Sequence, residues 1–478
     1  MKQAACFLIA FLAVVMTGCM VGPKYARPSV PTAPADGFKE VDGWKTAQPS
    51  EQVQRGPWWE MFGDPQLNTL EDQLTASNQD LKAAQARFQQ ARAQVRFNRA
   101  ALYPTISTAP GVDSIRDSGN QPYLPTTSTT GEFILPFDLS YEVDVWGRVR
   151  RTIAASREEA QATAADLQTV SLSLHAELAY DYFELRSADA QKQLLDDTVK
   201  AYQESLQLTT NRFDGGAAPK SDVAQAQTQL QTTMVQDTDI AVQRAQFEHA
   251  IAILIGKPPA AFSLPASPLH LQPPDISAGL PSQLLERRPD IAAGERRVAE
   301  ANEQIGIARA AYFPTITLSA TGGLEGNSIS NWFTWPSRFW AAGPSALETL
   351  FDAGRRHATS DAARANYDAT VASYRETTLT ALQQVEDNLA ALRILELESR
   401  QQQEATASAQ ESLQIFTDRY IGGADPYLQV LTAQTIALQN ERNDVDILRR
   451  RMDASVLLIK TLGGGWNVSQ LPQVANLR

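Results

Sequence analysis

The clearest pattern in the chain is a strict alternation of apolar and polar residues from Phe137 to Val145. Successive side chains of a strand take opposite faces, so one face here is apolar and the other carries Asp138, Ser140, Glu142 and Asp144. Elsewhere the period changes. Leu195, Val199, Tyr202, Leu206, Thr209 and Phe213 recur at spacings of 4, 3, 4, 3 and 4, which is a coiled-coil seam. They lie in a stretch from about 148 to 212 without Pro or Gly. At 1.5 Å per residue a helix of that length is roughly 95 Å long, too long for a globular domain. A second such stretch, about 355 to 418, holds Leu379, Leu382, Val385, Leu389 and Leu392. Moderate helices are predicted over 66 to 101, where Ala, Gln, Leu and Arg dominate before Pro104, and over 220 to 256.

The pattern is written twice. RAALYPTI at 99 to 106 returns as RAAYFPTI at 309 to 316, an offset of 210. RFDGGAAP at 212 to 219 returns as RYIGGADP at 419 to 426, an offset of 207 that also relates Gly147 to Gly354 and Gly256 to Gly463. Three residues are therefore lost or gained between Ile106 and Gly147. Each half reads as a moderate helix, a β region, a very long helix, a Gly-containing turn and a second moderate helix. The two moderate helices would lie antiparallel to the long one and cover its length end to end, and such pairs side by side make a wall. An extended structural rod would share this periodicity.

Each half supplies two strands, near 104 to 115 with 132 to 146, and near 314 to 325 with 338 to 351. The run from 343 to 351 alternates poorly, with Glu348 and Thr349 out of phase. In a soluble sandwich the acidic face would meet solvent; in a membrane barrel it lines the lumen and the apolar face meets lipid. Strand length, Trp146 at the strand end and an exported chain favour the barrel. Four strands cannot close, and an open edge is not tolerated in lipid, so several chains must contribute. Eight strands make the smallest usual barrel, so a dimer is the minimum.

Export is read from the N-terminus: Lys2, an apolar run from Ala5 to Met16, then Thr17, Gly18 and Cys19. No run of about 18 apolar residues follows. Met16-Thr17-Gly18-Cys19 resembles the lipobox of bacterial lipoproteins, where the Cys is acylated. Met20 stands where Asp would retain a lipoprotein at the inner membrane, so the resemblance favours the outer one. Cys6 lies in the segment to be removed, leaving no disulfide. With 42 Lys plus Arg against 54 Asp plus Glu, nucleic acid is no partner. Four isolated His and one mature Cys argue against a transition-metal site or cofactor, and no catalytic constellation stands out. No enzyme is expected.

Several segments then carry a family resemblance: WWEMFGDPQLNTL at 58 to 70, NQDLKAAQARFQQARA at 78 to 93, DVWGRVRR at 144 to 151, LLERRPDIAAGERR at 284 to 297, IGIARAAYFPTI at 305 to 316 and FDAGRR at 351 to 356. Over nearly its whole mature length the chain resembles outer membrane factor lipoproteins of the NodT type, relatives of TolC. The resemblance implies an α+β membrane protein: a homotrimeric duct in which four strands per chain form a shared 12-stranded barrel, continued by a periplasmic α-barrel of long coiled-coil helices. It implies a periplasmic adaptor and an inner-membrane resistance-nodulation-division pump as partners, and outer-membrane lipid around the barrel. Domains follow: signal peptide 1–18, lipid anchor and linker 19–57, first repeat 58–256, equatorial linker 257–282, second repeat 283–463 and a C-terminal equatorial segment 464–478. The linker and C-terminal segments would join in a belt around the tunnel.

The family closes its tunnel at the turns remote from the barrel. Arg212 and Asp222 in the first half, with Arg419, Tyr420, Asp425 and the constriction residue Leu428 in the second, are the gate candidates. Gly215, Gly216, Gly422 and Gly423 would meet the adaptor, unless they merely end helices. Thr432 occupies the position where the family commonly has an acid, so either Asp425 attracts cations in its place or the duct is less cation-selective. The function implied is a passive exit duct of a tripartite efflux pump. A type I protein-secretion duct shares the fold, and a pore-free coiled-coil lipoprotein is the reading from another class.

Overall fold

The computed structural model describes residues 20–30, 38–41, 56–116, 118, 120, 129–276 and 284–473. The leader, the acylation candidate Cys19, part of the first inter-strand loop and the last residues of the C-terminal segment lie outside them.

Freedom from Pro and Gly gives two helices of 67 residues each, α3 (Arg148–Asp214) and α7 (Arg355–Ile421). At 1.5 Å per residue each is about 100 Å long. Both begin after a left-handed glycine, Gly147 at φ 82° and Gly354 at φ 88°, a conformation that costs an L side chain its steric freedom. Ahead of the strands stand α2 (Gln79–Ala100) and α6 (Pro289–Ala310), 22 residues each, the latter preceded by the single turn α5 (Leu284–Arg287). After the long helices come α4 (Lys220–Leu254) and α8 (Tyr427–Thr461), 35 residues each. Element boundaries thus keep the two offsets seen in the sequence, 210 before the β region and 207 after it.

The predicted helix over 66 to 101 is interrupted. It is α1 (Pro65–Ser77) followed by α2, because Asn78 is extended and caps α2 by accepting from the Leu81 N–H at 2.9 Å. The same buried amide donates to the Leu254 carbonyl at 2.8 Å, which ties the start of α2 to the end of α4. In the second half Arg288 donates to the Thr461 carbonyl at 3.2 Å and makes the equivalent joint. The moderate helices therefore do stack end to end along the long one. Leu195, Tyr202 and Thr209 of the predicted seam are buried, whereas Phe213 and Leu379 are exposed.

The largest apolar cluster sits midway along α3. Leu178, Tyr182, Phe183 and Leu185 pack there against Trp58, Phe62, Leu67, Leu70 and Leu74, with Leu264 and Leu269 of the linker and Leu458 of α8. Trp466 of the C-terminal segment packs nearby on Ala165, Ala292 and Ala293. This apolar girdle joins α1 to Leu264 and Leu269 of the linker, with Trp466 beside it.

Five strands, β1 (Thr105–Ser107), β2 (Gly111–Arg116), β3 (Thr129–Val143), β4 (Thr315–Gly326) and β5 (Arg338–Leu347), form one antiparallel sheet in the order β1, β3, β4, β5, with β2 continuing along β3. The predicted strand over 104 to 115 is interrupted where Pro110, which has no N–H to donate, faces β3 beside Pro136. Thr108 spans the gap by donating its hydroxyl to the Pro136 carbonyl at 2.6 Å. The expected strand over 338 to 351 ends at Leu347, so Glu348 and Thr349, which disturbed the alternation, lie beyond it.

Residues 20–30 run from the strand joint along the outside of the wall. Val21 donates to the Trp146 carbonyl at 3.1 Å, and Arg151 donates to the Val21 and Pro23 carbonyls. Further on, Tyr25 bonds Glu295, Arg375 donates to the Ser29 carbonyl and Glu386 accepts from the backbone of Lys39 and Glu40.

Candidate functional site at the helix tips

Two turns close the coiled coils at the end remote from the sheet, Gly215–Pro219 and Gly422–Pro426. Gly216 and Gly423 have φ of 72° and 78° and end their helices in a left-handed cap. The Ala217 N–H reaches back to the Arg212 carbonyl at 2.7 Å, and Ala424 to Arg419 at 2.8 Å. Gly215 and Gly422 are different. Their φ values of −81° and −71° suit any residue, and an added Cβ would meet nothing closer than the preceding turn's carbonyl oxygens, at 3.4 Å.

The repeat is asymmetric in charge. Arg419 holds Asp425 of its own turn through two bonds, at 2.6 and 3.2 Å. The counterpart of Asp425 is Ala218, so Arg212 has no acid in its own turn. It crosses instead to the other turn, donating to the Ile421 carbonyl at 2.8 Å and placing its guanidinium 4.6 Å from the Tyr420 ring centre. A cation over an aromatic face is worth about 1 kcal/mol. Tyr420 is buried edge-on against Tyr427, and the Tyr427 hydroxyl meets Ser205 of α3 at 3.2 Å. Burial holds the Tyr427 phenol above its ordinary range, in its neutral form.

Of the gate candidates, Arg212, Arg419, Tyr420 and Asp425 come together. Asp222 does not join them: it lies in the first turn of α4, where its side chain faces the Ser221 hydroxyl at 3.4 Å and pairs with neither arginine among the described residues. Tyr427 and Ser205 went unread in the sequence; the signal available was an aromatic directly after Pro426 at the head of a helix. Leu428 is exposed, and Thr432 turns its hydroxyl back to the Leu428 carbonyl at 2.8 Å.

At the other end, strand register sorts the predicted faces. Asp138, Ser140 and Glu142 stand opposite Thr321, Ser319 and Thr317 of β4, which stand opposite Ala341, Gly343 and Ser345 of β5. Phe137, Leu139, Tyr141 and Val143 take the other face, with Leu318 and Ile316. The row holds one correction. Asp144 lies past the end of β3 and caps α3, accepting from the Val149 and Arg150 N–H groups at 3.0 and 2.9 Å and from the Arg150 side chain. Asp352 does the same for Arg356 one position nearer its glycine, and Ala353 at φ 52° absorbs the missing residue. Glu142 pairs with Arg148. Trp146 stacks on Phe313 at 4.6 Å and donates to the Pro314 carbonyl, so it locks the strand-to-helix joint.

The model of the outer membrane efflux protein family matches residues 70–257 and 280–464. This chain belongs to that family. A probable efflux pump outer membrane protein of Pseudomonas putida, SepC, is 32% identical over 98% of this chain and 99% of its own. The Escherichia coli cation efflux system protein CusC is 32% identical, over 97% of this chain and 100% of its own. The solved outer-membrane channel OprN superposes with a TM-score of 0.84 at 29% identity, covering 94% of this chain and 100% of that one. The protein is thus the outer-membrane channel component of an efflux pump, with a TolC-like fold. The family is one of transport channels, which leaves no place for the pore-free rod.

In this efflux channel the buried Tyr420 hydroxyl has no hydrogen-bond partner among the described residues, so its ring and not its oxygen holds the tip. Tyr420→Phe is therefore expected to leave thermal unfolding of the tip, followed by hydrogen exchange, within about 0.5 kcal/mol of wild type. Tyr420→Ala, which empties the space under Arg212, is expected to destabilise it by about 3 kcal/mol.

Proposed function

We propose that the protein is a passive exit duct for small toxic compounds, built as a homotrimer, latched at its periplasmic tip and opened by an adaptor that links it to an inner-membrane pump of the resistance-nodulation-division type. The observation that carries this reading is the construction of the tip. Its two exposed turns are held by Arg419 on Asp425 and by Arg212 on Tyr420 and the Ile421 carbonyl, contacts that a docking protein can replace without unfolding either helix. Polar and small residues in one continuous row across β3, β4 and β5 support a wetted lumen containing Asp138, Ser140 and Glu142, with the apolar face toward lipid. Because β1 and β2 share one strand position beside β3, three copies supply twelve strand positions and leave no edge open. Substrate choice then falls to the pump, since the duct only has to let compounds pass.

Asp425 is matched by Arg419, which argues against its replacing the missing acid at Thr432. In planar bilayers, Arg212→Ala, which removes the contact between the two turns, is expected to raise open probability several-fold. Asp425→Asn is expected to shift the reversal potential toward anions, because it frees Arg419, with a smaller effect on gating. Wild-type gating in Arg212→Ala would overturn the latch.

The adaptor reading assigns contact to Gly215 and Gly422, whose backbone does not require glycine, and a capping role to Gly216 and Gly423. Gly422→Leu is then expected to keep its helix content and thermal stability while losing adaptor capture and drug resistance. Gly423→Ala is expected to lower stability by about 1 kcal/mol as well. If Gly422→Leu confers full resistance, the adaptor does not sit there.

The lipobox-like Cys19 supports an acyl anchor, from which residues 20–30 descend along the wall. Mass spectrometry of the mature N-terminus is expected to find acylated Cys19 as the first residue. A Cys19→Ala trimer is expected still to need detergent, because the barrel remains; a soluble variant would refute the barrel.

A further inference from the structure

The wall of helices has two unlike sides, and residue spacing tells them apart. Residues two apart on a helix lie about 200° round from each other, on opposite faces. On α3, Tyr182 faces the girdle, where its hydroxyl donates to Asp64 at 2.5 Å, so Tyr180 and Glu184 face the other way. On α7, Glu386 and Arg393 hold Lys39 and Glu40 of the N-terminal segment on the outside of the wall, which puts Asn388 and Leu395 on the inside. On α8, Met452 and Ile459 belong to the girdle's apolar cluster, which turns Arg450 and Leu457 inward.

Inward residues of all three helices meet in one recess of about 470 Å³, which runs from Tyr180 of α3 across α8 to α7 and falls within the size range of small-molecule sites. Most of its lining is apolar, with Leu395, Leu457, Ile394 and the Tyr180 ring. Leu457 and Ile394 are exposed, so the mouth is apolar as well. Asp453 supplies the polar group of the lining. It is more than nine-tenths buried, and while one oxygen accepts from Arg449 at 3.0 Å, Oδ1 has no partner among the described residues. Arg449 also binds Glu184 and Asp446, so three carboxyl groups share one guanidinium. Burial and the neighbouring Glu184 push the Asp453 carboxyl well above its usual range, a cost that a further cation beside it would offset. Arg450 at the rim is not that cation, since it pairs with Glu398 at 3.1 Å.

We propose that this recess is a resting site for an amphiphilic organic cation, whose apolar body lies on Leu395, Leu457 and the Tyr180 ring and whose charged group meets Asp453. The inference rests on the duct reading, which makes the inner side of the wall the lumen and puts the recess on the path of the cargo. An aromatic face beside a carboxyl suits a cation that also carries apolar bulk, and it rejects an anion of the same bulk. Such a site does not choose the cargo. It holds a compound at the level of the girdle, part-way between the tip and the sheet, and its open apolar mouth lets the compound leave again.

The test uses the full-length protein in lipid nanodiscs, titrated by saturation-transfer NMR with benzyltriethylammonium, a permanent cation with one aromatic ring, and with benzenesulfonate, an anion that also carries one ring. The cation is expected to bind saturably and the sulfonate about tenfold more weakly or worse. Asp453→Asn is expected to remove most of that preference. Leu457→Trp, which fills the recess from its mouth, is expected to abolish saturable binding with helix content unchanged by circular dichroism. If Leu457→Trp loses helix content, Leu457→Ser takes its place, with binding expected about threefold weaker. Equal binding of the two probes, or a cation that binds the Leu457 variant as it binds wild type, would overturn the recess. Planar bilayers separate this from the duct reading: the cation is expected to reduce the wild-type current reversibly and to leave that of Leu457→Trp unchanged. A conducting wild type that binds no cation would overturn the recess alone, and a cation-binding wild type that never conducts would overturn the duct.

Discussion

An unpaired strand edge in hydrocarbon leaves a row of N–H and C=O groups with neither protein nor water to satisfy them, at several kcal/mol for each group. This chain has two such edges, the outer sides of β1 with β2 and of β5. Everything below the sheet is consistent with that one debt being settled by other copies. Each pair of strands feeds a helix of identical length, each long helix is flanked by helices of 22 and 35 residues, and the wall ends as the sheet does, with one unpartnered face on either side. Register carries the constraint downward. A shift of one residue in the sheet would exchange the polar and apolar faces of every strand, and the Asp144 and Asp352 caps lock strand ends to helix starts so that register passes into the helices.

A wall two helices thick per repeat has no central core, so its stability is distributed in small clusters and concentrated once, at the equator. There Trp58, Phe62, Leu67, Leu70 and Leu74 cover α3 on its outer side. The same girdle buries Glu71 against His175 at 2.5 Å beneath the stacked Trp59 ring. Burial drives the Glu71 carboxyl well above its usual range and the His175 imidazole down to about 4, so burial favours the neutral form of both. A neutral pair suits a site with no counter-ion nearby. It also leaves the moving parts elsewhere: the tip, 67-residue helices away from the sheet, depends on contacts that can be exchanged one at a time.

Long-period features were legible in the sequence because they are repeated: both helix pairs, the Gly turns, the strand from Phe137 and the offset of 207. The misread features are local exceptions written in residue types that serve two ends. Asn78 disappears among helix formers unless Asn78 with Asp80 is read as a fresh N-terminus. Asp144 continues an alternating strand by type, while Gly147, four residues past the strand's end at Val143, signals that a helix needs capping. The span of Arg212 to Tyr420 was beyond reach, since it joins residues from the two halves and depends on how α3 and α7 lie in the wall.

In the proposed gate, divergence between the halves makes the two turns unequal. If both turns kept an Arg and Asp pair, each would be closed on itself and neither would hold the other. Replacement of one acid by Ala218 frees Arg212 to reach across, and the aromatic at Tyr420, where the first half has Phe213, gives it a buried face to lie on. The consequence is a latch with a self-contained half and a bridging half. Moving the α7 and α8 pair outward must break the bridge of Arg212 to Ile421 and Tyr420, but it need not disturb Arg419 on Asp425, which travels with its own turn. In the proposed gate the bridging arginine, therefore, and not the more conspicuous ion pair, is the contact inside one chain that would oppose opening, while Arg419 would keep its turn rigid enough to be pulled as a unit.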